Sequence, residues 1–321
     1  MLFRSFHGPR QDRVTVDELL RALERDHEVR GRKGLPQLRS HMKHVRAFFA
    51  LDRALAAGPD RQRDYIAARQ RDGAATATIN RELECLQRAF SIAVESGVLA
   101  FAPKTLSLPE HNARQGFFEV AKFEELLTHL EDPDLRDYLE WFFWTGMRPS
   151  GIRALSWAAF DRETWTLRLP TKDDKTGRGV LLALEDALRA IIQRRIASRR
   201  LDCPLIFHRD GRPIGDFRRV WLRVCQRAEL AVIEERDGKK VVRALRTPYD
   251  LRRTALRNMV RGGTDPAIAM KISGHHTRAT FDRYNIIDER DLRAAVLKTS
   301  AYVRSLRRRA SNVVQLRAKR P

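Results

Sequence analysis

The sequence is poor in cysteine and contains no long apolar run. Its three cysteines, Cys85, Cys203 and Cys225, have no paired spacing, which is typical of proteins kept in a reducing compartment. The densest apolar patch, residues 138–147, is about half as long as a membrane span, and the first residues lack the apolar segment of a secretory signal. We therefore expect a cytoplasmic protein without disulfides and with no membrane partner.

Clustered metal-binding residues are also missing. Asp173 and Asp174 are adjacent, so an extended chain points them apart. The pair His275 and His276 lacks the i,i+4 spacing of a helical zinc site. Because no acidic cluster is suited to paired metal ions, the sequence argues against a two-metal nuclease.

Positive charge, in contrast, is abundant. Lys and Arg together number 62 against 41 Asp and Glu, which gives a formal net charge of +21. An excess of this size indicates a polyanionic partner, most often nucleic acid. Charge alone also fits a ribosomal or other basic protein, so it predicts contact with phosphate groups and no more.

Residues 1–110 predict a helical domain. Thr15, followed three residues later by Glu18, forms a capping box, and apolar residues then recur at helical spacing. The first expected helix begins after Thr15 and carries Val16, Leu19, Leu20 and Leu23, and the others lie near residues 36–49, 60–71 and 76–96. Pro- and Gly-containing sequence at 99–116 predicts a linker and a domain boundary.

Residues 116–306 predict a second domain, which is followed by a basic tail at 307–321. The apolar segment 135–145 predicts a buried helix that ends at Gly146. Two expected strands, 165–171 and 179–184, flank the polar turn KDDKTGR and favour a small antiparallel sheet. Further helices are expected near residues 122–130, 149–157, 185–200, 216–228, 248–261, 266–273 and 288–306.

Several polar side chains lie at predicted helix ends or turns, where side chains and unpaired N–H groups can meet a ligand. Two arginines, a lysine, a histidine and two tyrosines occupy such positions. Together they suit phosphoryl transfer, because guanidiniums can bind phosphate oxygens, Lys or His can transfer a proton, and a phenol can attack phosphorus. Taken singly, each residue also fits a surface, capping or packing role. The candidates are Arg148, Lys172, Tyr249, Arg252, His275 and Tyr284.

Four short sequences resemble the signature boxes of the tyrosine recombinases, the phage integrase family. They are TGMR at 145–148, TK at 171–172, YDLRRT at 249–254, and SGHHT at 273–277 followed by FDRYN at 281–285. They occur in the family's order and at suitable spacing. TINREL at 78–83 resembles part of the family's helical core-binding domain, so the resemblance extends over most of the chain.

The resemblance implies a mainly α fold with a small antiparallel β-sheet (α+β). A helical core-binding domain and a tyrosine-recombinase catalytic domain would form a C-shaped clamp around double-stranded DNA. The family usually assembles as a homo-tetramer on paired sites. It implies no cofactor, neither metal nor ATP, because a covalent protein–DNA bond conserves the energy of the broken strand.

The resemblance also implies a role for each candidate. Arg148 and Arg252 would bind the scissile phosphate, and Lys172 would protonate the leaving 5′ oxygen. His275 would hydrogen-bond the phosphate or assist proton transfer. Tyr284 would form a 3′-phosphotyrosine.

Two positions differ from the family's pattern. Gly151 stands where the family commonly has an acidic residue, and Tyr249 where it commonly has His or Lys. A phenol can donate a hydrogen bond to phosphate but is a poor base at neutral pH. The sequence therefore predicts a site-specific DNA recombinase, an integrase of a mobile element. The alternative is a catalytically weak or inactive DNA-binding protein on the same fold, and a third class is a basic ribonucleoprotein component.

Overall fold

The computed structural model describes residues 12–110, 116–169, 180–236, 238–284 and 289–317. The chain divides into two compact units, an N-terminal unit (residues 1–113) and a C-terminal unit (residues 114–321). Each unit encloses an apolar core of its own. The chain is mainly α-helical with small antiparallel sheets, which confirms the predicted fold class.

Four helices build the N-terminal unit: α1 Val16–Val29, α2 Leu35–Phe49, α3 Pro59–Arg71 and α4 Thr76–Glu95. The capping box predicted for α1 is present. The backbone N–H of Thr15 donates to the Glu18 carboxylate at 2.8 Å, and the N–H of Glu18 donates to the Thr15 hydroxyl at 3.4 Å. Both α2 and α4 pack against α1, so the apolar faces of the three helices form one core.

A closed ionic network lies inside the N-terminal unit. Glu82 is 1% exposed and accepts a hydrogen bond from the Tyr65 hydroxyl at 2.6 Å. It also accepts two hydrogen bonds from the Arg69 guanidinium, both at 3.0 Å, and paired bonds of this kind are strong and directional. Glu82 belongs to the TINREL sequence, so that motif contributes to the interior of the unit.

Two buried amide side chains hold the segment that follows α4. Gln62 donates to the carbonyl oxygen of Lys104 at 3.1 Å and accepts from the N–H of Leu106 at 2.8 Å. Asn80 donates to the carbonyl oxygen of Leu108 at 2.9 Å and accepts from its N–H at 2.8 Å. The amide side chains therefore supply hydrogen bonds to backbone N–H and carbonyl groups of this segment, which in a sheet would come from a neighbouring strand. This part of the predicted linker is therefore an ordered part of the N-terminal unit.

The C-terminal unit is organised around a buried helix. Its helices are α5 Val120–Thr128, α6 Pro133–Thr145, α7 Pro149–Arg153, α8 Asp186–Ala197, α9 Arg218–Arg227, α10 Asp250–Arg261, α11 Pro266–Ser273, α12 Arg278–Asp282 and α13 Glu289–Arg317. Helix α6 packs against α8 and α10, and Trp141 and Phe142 on it are fully buried. The predicted buried helix is thus confirmed, except that Trp144 is half-exposed.

The strands among the described residues form three small antiparallel sheets. They are β1 Phe160–Asp161, β2 Thr166–Leu169, β3 Val180–Ala183, β4 His208–Arg209, β5 Arg212–Pro213, β6 Ala231–Arg236 and β7 Lys239–Ala244. The predicted pair is β2 and β3, in a register that places Thr166 opposite Ala183 and Leu169 opposite Val180. Their connection, residues 170–179, lies outside the described residues. The β6–β7 hairpin was not predicted.

Some helix ends differ from the prediction. Helix α10 begins at Asp250, two residues later than the sequence indicated, and Tyr249 is its N-cap. The cause is a local turn, in which the Asp250 carboxylate accepts from the N–H of Thr247 at 2.7 Å and from its hydroxyl at 3.1 Å. Helix α7 ends earlier than expected, at Arg153, and α13 continues past Leu306 to Arg317.

Candidate active site

Two arginines meet at the C-terminal end of α11. Arg148 caps the start of α7, and Arg252 lies in the first turn of α10. The Nη1 atom of Arg148 donates to the carbonyl oxygen of Gly274. The Nη1 atom of Arg252 donates to the carbonyl oxygen of Ser273 at 2.6 Å and to that of Gly146. Backbone carbonyls at the ends of α6 and α11 therefore orient both guanidiniums, at positions where helix dipoles favour cations.

Gly146 allows α10 to approach the end of α6. Its φ of 59° lies in the left-handed region. A Cβ atom at this position would lie 3.0 Å from the Cβ of Ala255 and 3.3 Å from the backbone oxygen of Arg252. Any side chain would therefore meet both backbone strain and a steric clash. The absence of a side chain at Gly146 is what brings Arg148 and Arg252 to the same place.

The two arginines concentrate positive charge at one place, with Arg252 buried and Arg148 partly exposed. Their hydrogen bonds within the described residues go to backbone carbonyls and to His275, and none goes to a carboxylate. Arg252 is 1% exposed, and among the described residues its Nε atom has no hydrogen-bond partner. Burial, together with the charge on Arg148, lowers the pKa of Arg252 to about 10. The guanidinium still carries its charge at neutral pH, so an anion bound here would offset a costly buried charge.

His275 follows Gly274 and packs against Arg252. It is 7% exposed. The Nη2 atom of Arg252 lies 2.9 Å from its Nδ1 and 2.8 Å from its Nε2, and the Ser273 hydroxyl oxygen lies 2.8 Å from Nδ1. Burial, and then the charges of Arg252 and Arg148, lower the pKa of His275 to about 3. The imidazole is therefore neutral at physiological pH.

Tyr284 lies two residues after the end of α12 and is half-buried. Its ring centroid is 5.4 Å from that of His275 and 5.7 Å from the guanidinium carbon of Arg252. On another side lies Tyr249, with the ring centroids 6.1 Å apart. Burial, and then a hydrogen bond with Tyr249, raise the pKa of Tyr284. The phenol is therefore protonated at neutral pH and needs a proton acceptor before it can act as a nucleophile.

The structure brings most of the predicted site residues into one region. These are Arg148, Tyr249, Arg252, His275 and Tyr284. Lys172, the remaining candidate, lies outside the described residues. Gly151 lies on α7, where a Cβ would touch only the Met147 Cε atom, at 3.6 Å. The chemical role of each residue stays a prediction.

Two residues next to the site had no role in the sequence-based hypothesis. Arg253 is 6% exposed, and its guanidinium carbon lies 6.0 Å from the ring centroid of Tyr284. Ser273 is 1% exposed and touches both Arg252 and His275. Both lie within the recognised boxes, but only the bend at Gly274 and the position of Tyr284 show what they contact.

Within the described ranges, no group of three or more His, Cys, Asp or Glu side chains is arranged to hold a metal ion. Across the same residues, no helix has the length and apolar character that crossing a bilayer requires. The cysteines Cys85, Cys203 and Cys225 are buried free thiols.

Comparisons with known proteins concern the family and the fold of the chain. The family model described as "Phage integrase family" matches residues 117–290, which is more than half of the chain. The Tn1549 transposon integrase in complex with circular intermediate DNA is similar, with a TM-score of 0.67 and 16% identity over 88% of this chain and 99% of that chain. No curated protein sequence matches this chain.

Lambda integrase is similar in two assemblies. The dimer bound to a COC′ core site has a TM-score of 0.64 and 16% identity over 86% of this chain and 78% of that chain. The tetramer bound to a Holliday junction has a TM-score of 0.65 and 16% identity over 85% of this chain and 78% of that chain. At this level of identity the structural similarity shows a shared fold.

Proposed function

This chain belongs to the phage integrase family, and from that premise we propose that it is a site-specific DNA recombinase that cuts and rejoins duplex DNA through a 3′-phosphotyrosine on Tyr284. The observation that carries the proposal is the meeting of two arginines, a neutral histidine and a tyrosine in one pocket. They come from four separate parts of the sequence. The arrangement does not serve stability, because a buried arginine without a carboxylate partner, as Arg252 is, is costly.

In the proposed cleavage step, the phenol oxygen of Tyr284 attacks the phosphorus of one phosphodiester. The oxygen–phosphorus bond forms while the bond from phosphorus to the 5′ oxygen breaks, so the 3′ phosphate stays on the tyrosine. The leaving 5′ oxygen takes a proton from Lys172, and the phenol proton passes to a base, for which His275 is the nearby candidate. Rejoining is the reverse reaction with a 5′ hydroxyl of a new strand.

Arg148 and Arg252 would bind the non-bridging oxygens of the phosphate in this reaction. Negative charge on these oxygens grows as the fifth bond to phosphorus forms, so fixed cations stabilise the transition state more than the bound substrate. The carbonyl contacts of both guanidiniums hold them in place before DNA arrives. Little rearrangement would then be needed during the chemical step.

A bound phosphodiester would also activate the proton acceptor. The positive charges of Arg252 and Arg148 contribute to the low pKa of His275. A phosphate anion between the arginines opposes that effect and raises the pKa. The site would therefore be inactive without DNA, with the proton on Tyr284, and would gain a stronger base when the substrate binds.

Duplex DNA is the proposed substrate, and a homo-tetramer on paired sites is the proposed assembly. Helix α13 exposes an apolar stripe that its own unit does not cover, formed by Leu292, Val296, Leu297 and Val303. The same unit has a cavity of about 740 Å³. Its walls include Phe143 and Trp144 as well as Glu124 and Glu140. The apolar stripe and basic residues of α13 from one copy suit this cavity on another.

Truncation tests the assembly. A chain that ends before α13 should bind a single DNA site but should no longer assemble on paired sites in sedimentation experiments. If the truncated chain assembled as the full chain does, α13 would not be the contact between copies.

A catalytically weak DNA-binding protein is the second candidate function, and Tyr249 favours it. The hydrogen bond between Tyr284 and Tyr249 contributes to the raised pKa of Tyr284, and Gly151 brings no carboxylate to the arginines. Such a protein would bind the same duplex without forming a covalent adduct.

Covalent trapping tests the proposed function. Duplexes tiled from the DNA that flanks the gene are each nicked so that cleavage releases a short strand and prevents rejoining. The readout is a protein–DNA band that survives denaturation. We expect the band with the wild-type chain and with the control Arg200→Lys. Arg200 is an exposed arginine paired to Asp202 at 2.7 Å, and the lysine keeps its positive charge. Tyr284→Phe should bind the same duplex and give no band.

The other outcomes separate the alternatives. Tight duplex binding without any adduct would support the catalytically weak DNA-binding protein. An adduct that persists in Tyr284→Phe would show that another residue is the nucleophile. No duplex preference at all would contradict both functions.

A further inference from the structure

Helix α10 holds the first described residues of the C-terminal unit. The Nη1 atom of Arg253 donates to the carbonyl oxygen of Gly116 at 3.3 Å, and the Nη2 atom of Arg257 donates to that of Phe118 at 3.1 Å. Residues 116–118 are therefore bound to the same helix that carries one of the two arginines of the pocket.

The Arg253 side chain also approaches Tyr284. It is 6% exposed, and its guanidinium carbon lies 6.0 Å from the ring centroid of Tyr284. The guanidinium carbon of Arg252 lies 5.7 Å from the same centroid. The charges of both arginines oppose the rise in the pKa of Tyr284 that burial, and then the hydrogen bond with Tyr249, produce. Two fixed cations beside the phenol thus favour its negatively charged form.

The titratable and charged side chains that face Tyr284 within the described ranges come from two elements. Tyr249 is the N-cap of α10, Arg252 and Arg253 lie in its first turn, and His275 follows the end of α11. His275 is neutral at physiological pH. In this part of the chain, the positive charge beside the phenol therefore comes from the two arginines.

These two arginines would differ once DNA is bound. In the proposed reaction Arg252 binds a non-bridging oxygen of the phosphate, which takes up its charge. Arg253 is bound by the carbonyl oxygen of Gly116, and a neutral carbonyl orients a guanidinium without neutralising it. We infer that Arg253 is a positioning residue that acts through Tyr284, because its fixed positive charge favours the phenolate as the phenol oxygen attacks phosphorus.

This inference deepens the proposed function and rests on it for its catalytic consequence. In cleavage, the O–H bond of Tyr284 breaks, and the electron pair of the oxygen forms the bond to phosphorus. The proton passes to solvent water, directly or by way of a base. The 5′ oxygen leaves with the electron pair of the broken bond and takes a proton from Lys172. Arg253 exchanges no proton in this step, and its charge lowers the free energy of the phenolate.

Fluorine NMR tests the effect on the phenol without any DNA. The chain has five tyrosines, and in protein labelled with 3-fluorotyrosine each gives a signal that moves when its phenol loses the proton. Tyr284→Phe identifies the signal of interest. We expect Arg253→Met to raise the pKa of this phenol by about one unit. That is the low end of the effect of a neighbouring opposite charge, because Tyr284 is half-buried.

Two further variants separate the charge of Arg253 from its contact with Gly116. Arg253→Gln keeps a hydrogen-bond donor for the carbonyl but has no charge, so the pKa of Tyr284 should rise as in Arg253→Met. Arg253→Lys keeps the charge without the planar guanidinium, so the pKa should stay close to the wild-type value.

Arg257→Met is the matched control. Arg257 lies four residues later on α10 and is 4% exposed, and its guanidinium carbon lies 3.7 Å from the ring centroid of Phe117. The control therefore also removes a buried arginine that binds the segment 116–118, and it should leave the pKa of Tyr284 unchanged. An unchanged pKa in Arg253→Gln would overturn the inference. Equal rises in Arg253→Lys and Arg253→Gln, or in Arg257→Met and Arg253→Gln, would overturn it too.

Single-turnover adduct formation against pH supplies the second readout. Below the pKa of Tyr284, each unit by which that pKa rises lowers the phenolate fraction tenfold, so Arg253→Gln should react up to about tenfold more slowly. At a pH about one unit higher, the variant should reach the rate that the wild-type chain has at the lower pH. A merely structural defect would not shift the profile in this way.

The other outcomes of the rate measurement are distinct. Arg257→Met should follow the wild-type pH profile. Identical profiles in Arg253→Gln and the wild-type chain would overturn the catalytic part of the inference. If the wild-type chain formed no adduct at all, the proposed function would fail, while the NMR titration of Tyr284 would stand on its own.

Discussion

Arg69 in the N-terminal unit and Arg252 in the C-terminal unit are both largely buried beside a tyrosine, but their charge partners differ. Arg69 binds the carboxylate of Glu82 with two hydrogen bonds, and this contact raises the pKa of Arg69. Arg252 donates to backbone carbonyls, and burial lowers its pKa to about 10. The pKa of Arg69 is raised because a negative charge lies beside it in the protein. The pKa of Arg252 is lowered because it is buried without such a charge.

Arg69 has the contacts of a structural arginine, whereas Arg252 has those of an arginine that can bind an anionic ligand. The ion pair of Arg69 with Glu82 is complete, so an additional anion would gain little there. The C-terminal pocket has two guanidiniums, oriented by neutral dipoles, and no carboxylate within the described residues. The stability that this pocket lacks in the protein alone is regained when an anion binds.

The largest expected effect comes from removing each arginine in turn. Arg69→Met leaves the Glu82 carboxylate buried without its positively charged partner, and the Tyr65 hydroxyl does not neutralise it, so we expect the free energy of unfolding to fall by about 3–5 kcal/mol. Arg252→Met removes a charge without a carboxylate partner, and the change should stay below about 2 kcal/mol despite the lost carbonyl bonds. Urea denaturation measures both.

The same pair should reverse its order in adduct formation. Arg252→Met should lower the rate by about 10²–10³-fold or more, since it removes a charge next to the reacting phosphate. Arg69→Met should react normally at temperatures where it is folded. Equal losses of stability in the two variants would break the comparison.

Lowering the pH should reduce the stability of the folded protein through His275 in the C-terminal unit. The folded protein binds a proton on this residue only near pH 3, whereas the unfolded chain binds it near its ordinary pKa of about 6.5. Between these values the unfolded state holds the extra proton, so stability falls as the pH is lowered, by up to about 1.4 kcal/mol per pH unit from this group. Urea denaturation from pH 4.5 to 7.5 should show a shallower slope in His275→Gln, and identical slopes would contradict the low pKa.

The Tyr249 contact should have a smaller effect. Tyr249→Phe keeps the ring and removes the hydroxyl that bonds to Tyr284, so the pKa of Tyr284 should fall towards its ordinary value. Burial remains and should keep the pKa above that value. Ultraviolet difference titration measures it, with Tyr284→Phe as the reference that lacks this phenol. An unchanged or higher pKa would mean that the contact does not hold the proton on Tyr284.

The smallest expected effect is at Gly151. The space around it accepts a side chain, so Gly151→Glu should bring a carboxylate towards the arginines and increase adduct formation by a few-fold. Replacing a helical glycine should also stabilise the fold by roughly 0.5–1 kcal/mol. Gly151→Ala is the control, since it supplies the helix stabilisation without the carboxylate. A rate no higher than that of Gly151→Ala would remove the case for an orienting acid here.

Local signals in the sequence were sufficient where a structure depends on neighbouring residues. The capping box of Thr15 and Glu18 is such a case, and so is α11, which spans the predicted residues 266–273 between an Asp265 N-cap and a Gly274 C-cap. The β6–β7 hairpin also had a local signal, since the sequence DG at 237–238 is typical of a two-residue turn, with Val232 and Ile233 before it and Val241 and Val242 after it. The many charged residues around that turn masked the strand pattern.

The site was predictable as a set of residues and not as an arrangement. The recognised boxes located Arg148, Arg252 and His275, because these positions carry distinctive side chains. Their partners are mainly carbonyl oxygens, those of Gly146 and Gly274 among them, and every residue has a carbonyl. Which carbonyl faces a guanidinium depends on how helices distant in sequence pack together, and no short pattern records that.

The carbonyl oxygens that bond Arg148 and Arg252 orient the arginines without neutralising their positive charge. A phosphodiester in its ground state carries one negative charge, whereas Arg148 and Arg252 carry two positive charges and neither is hydrogen-bonded to a carboxylate among the described residues. In the proposed reaction, a second negative charge develops only as the phosphorus becomes five-coordinate. The intact strand therefore neutralises only one of the two positive charges. The second positive charge is neutralised in the five-coordinate transition state. Neutral carbonyl dipoles orient the arginines and leave their second positive charge available. A carboxylate bonded to an arginine would have neutralised that charge before DNA bound.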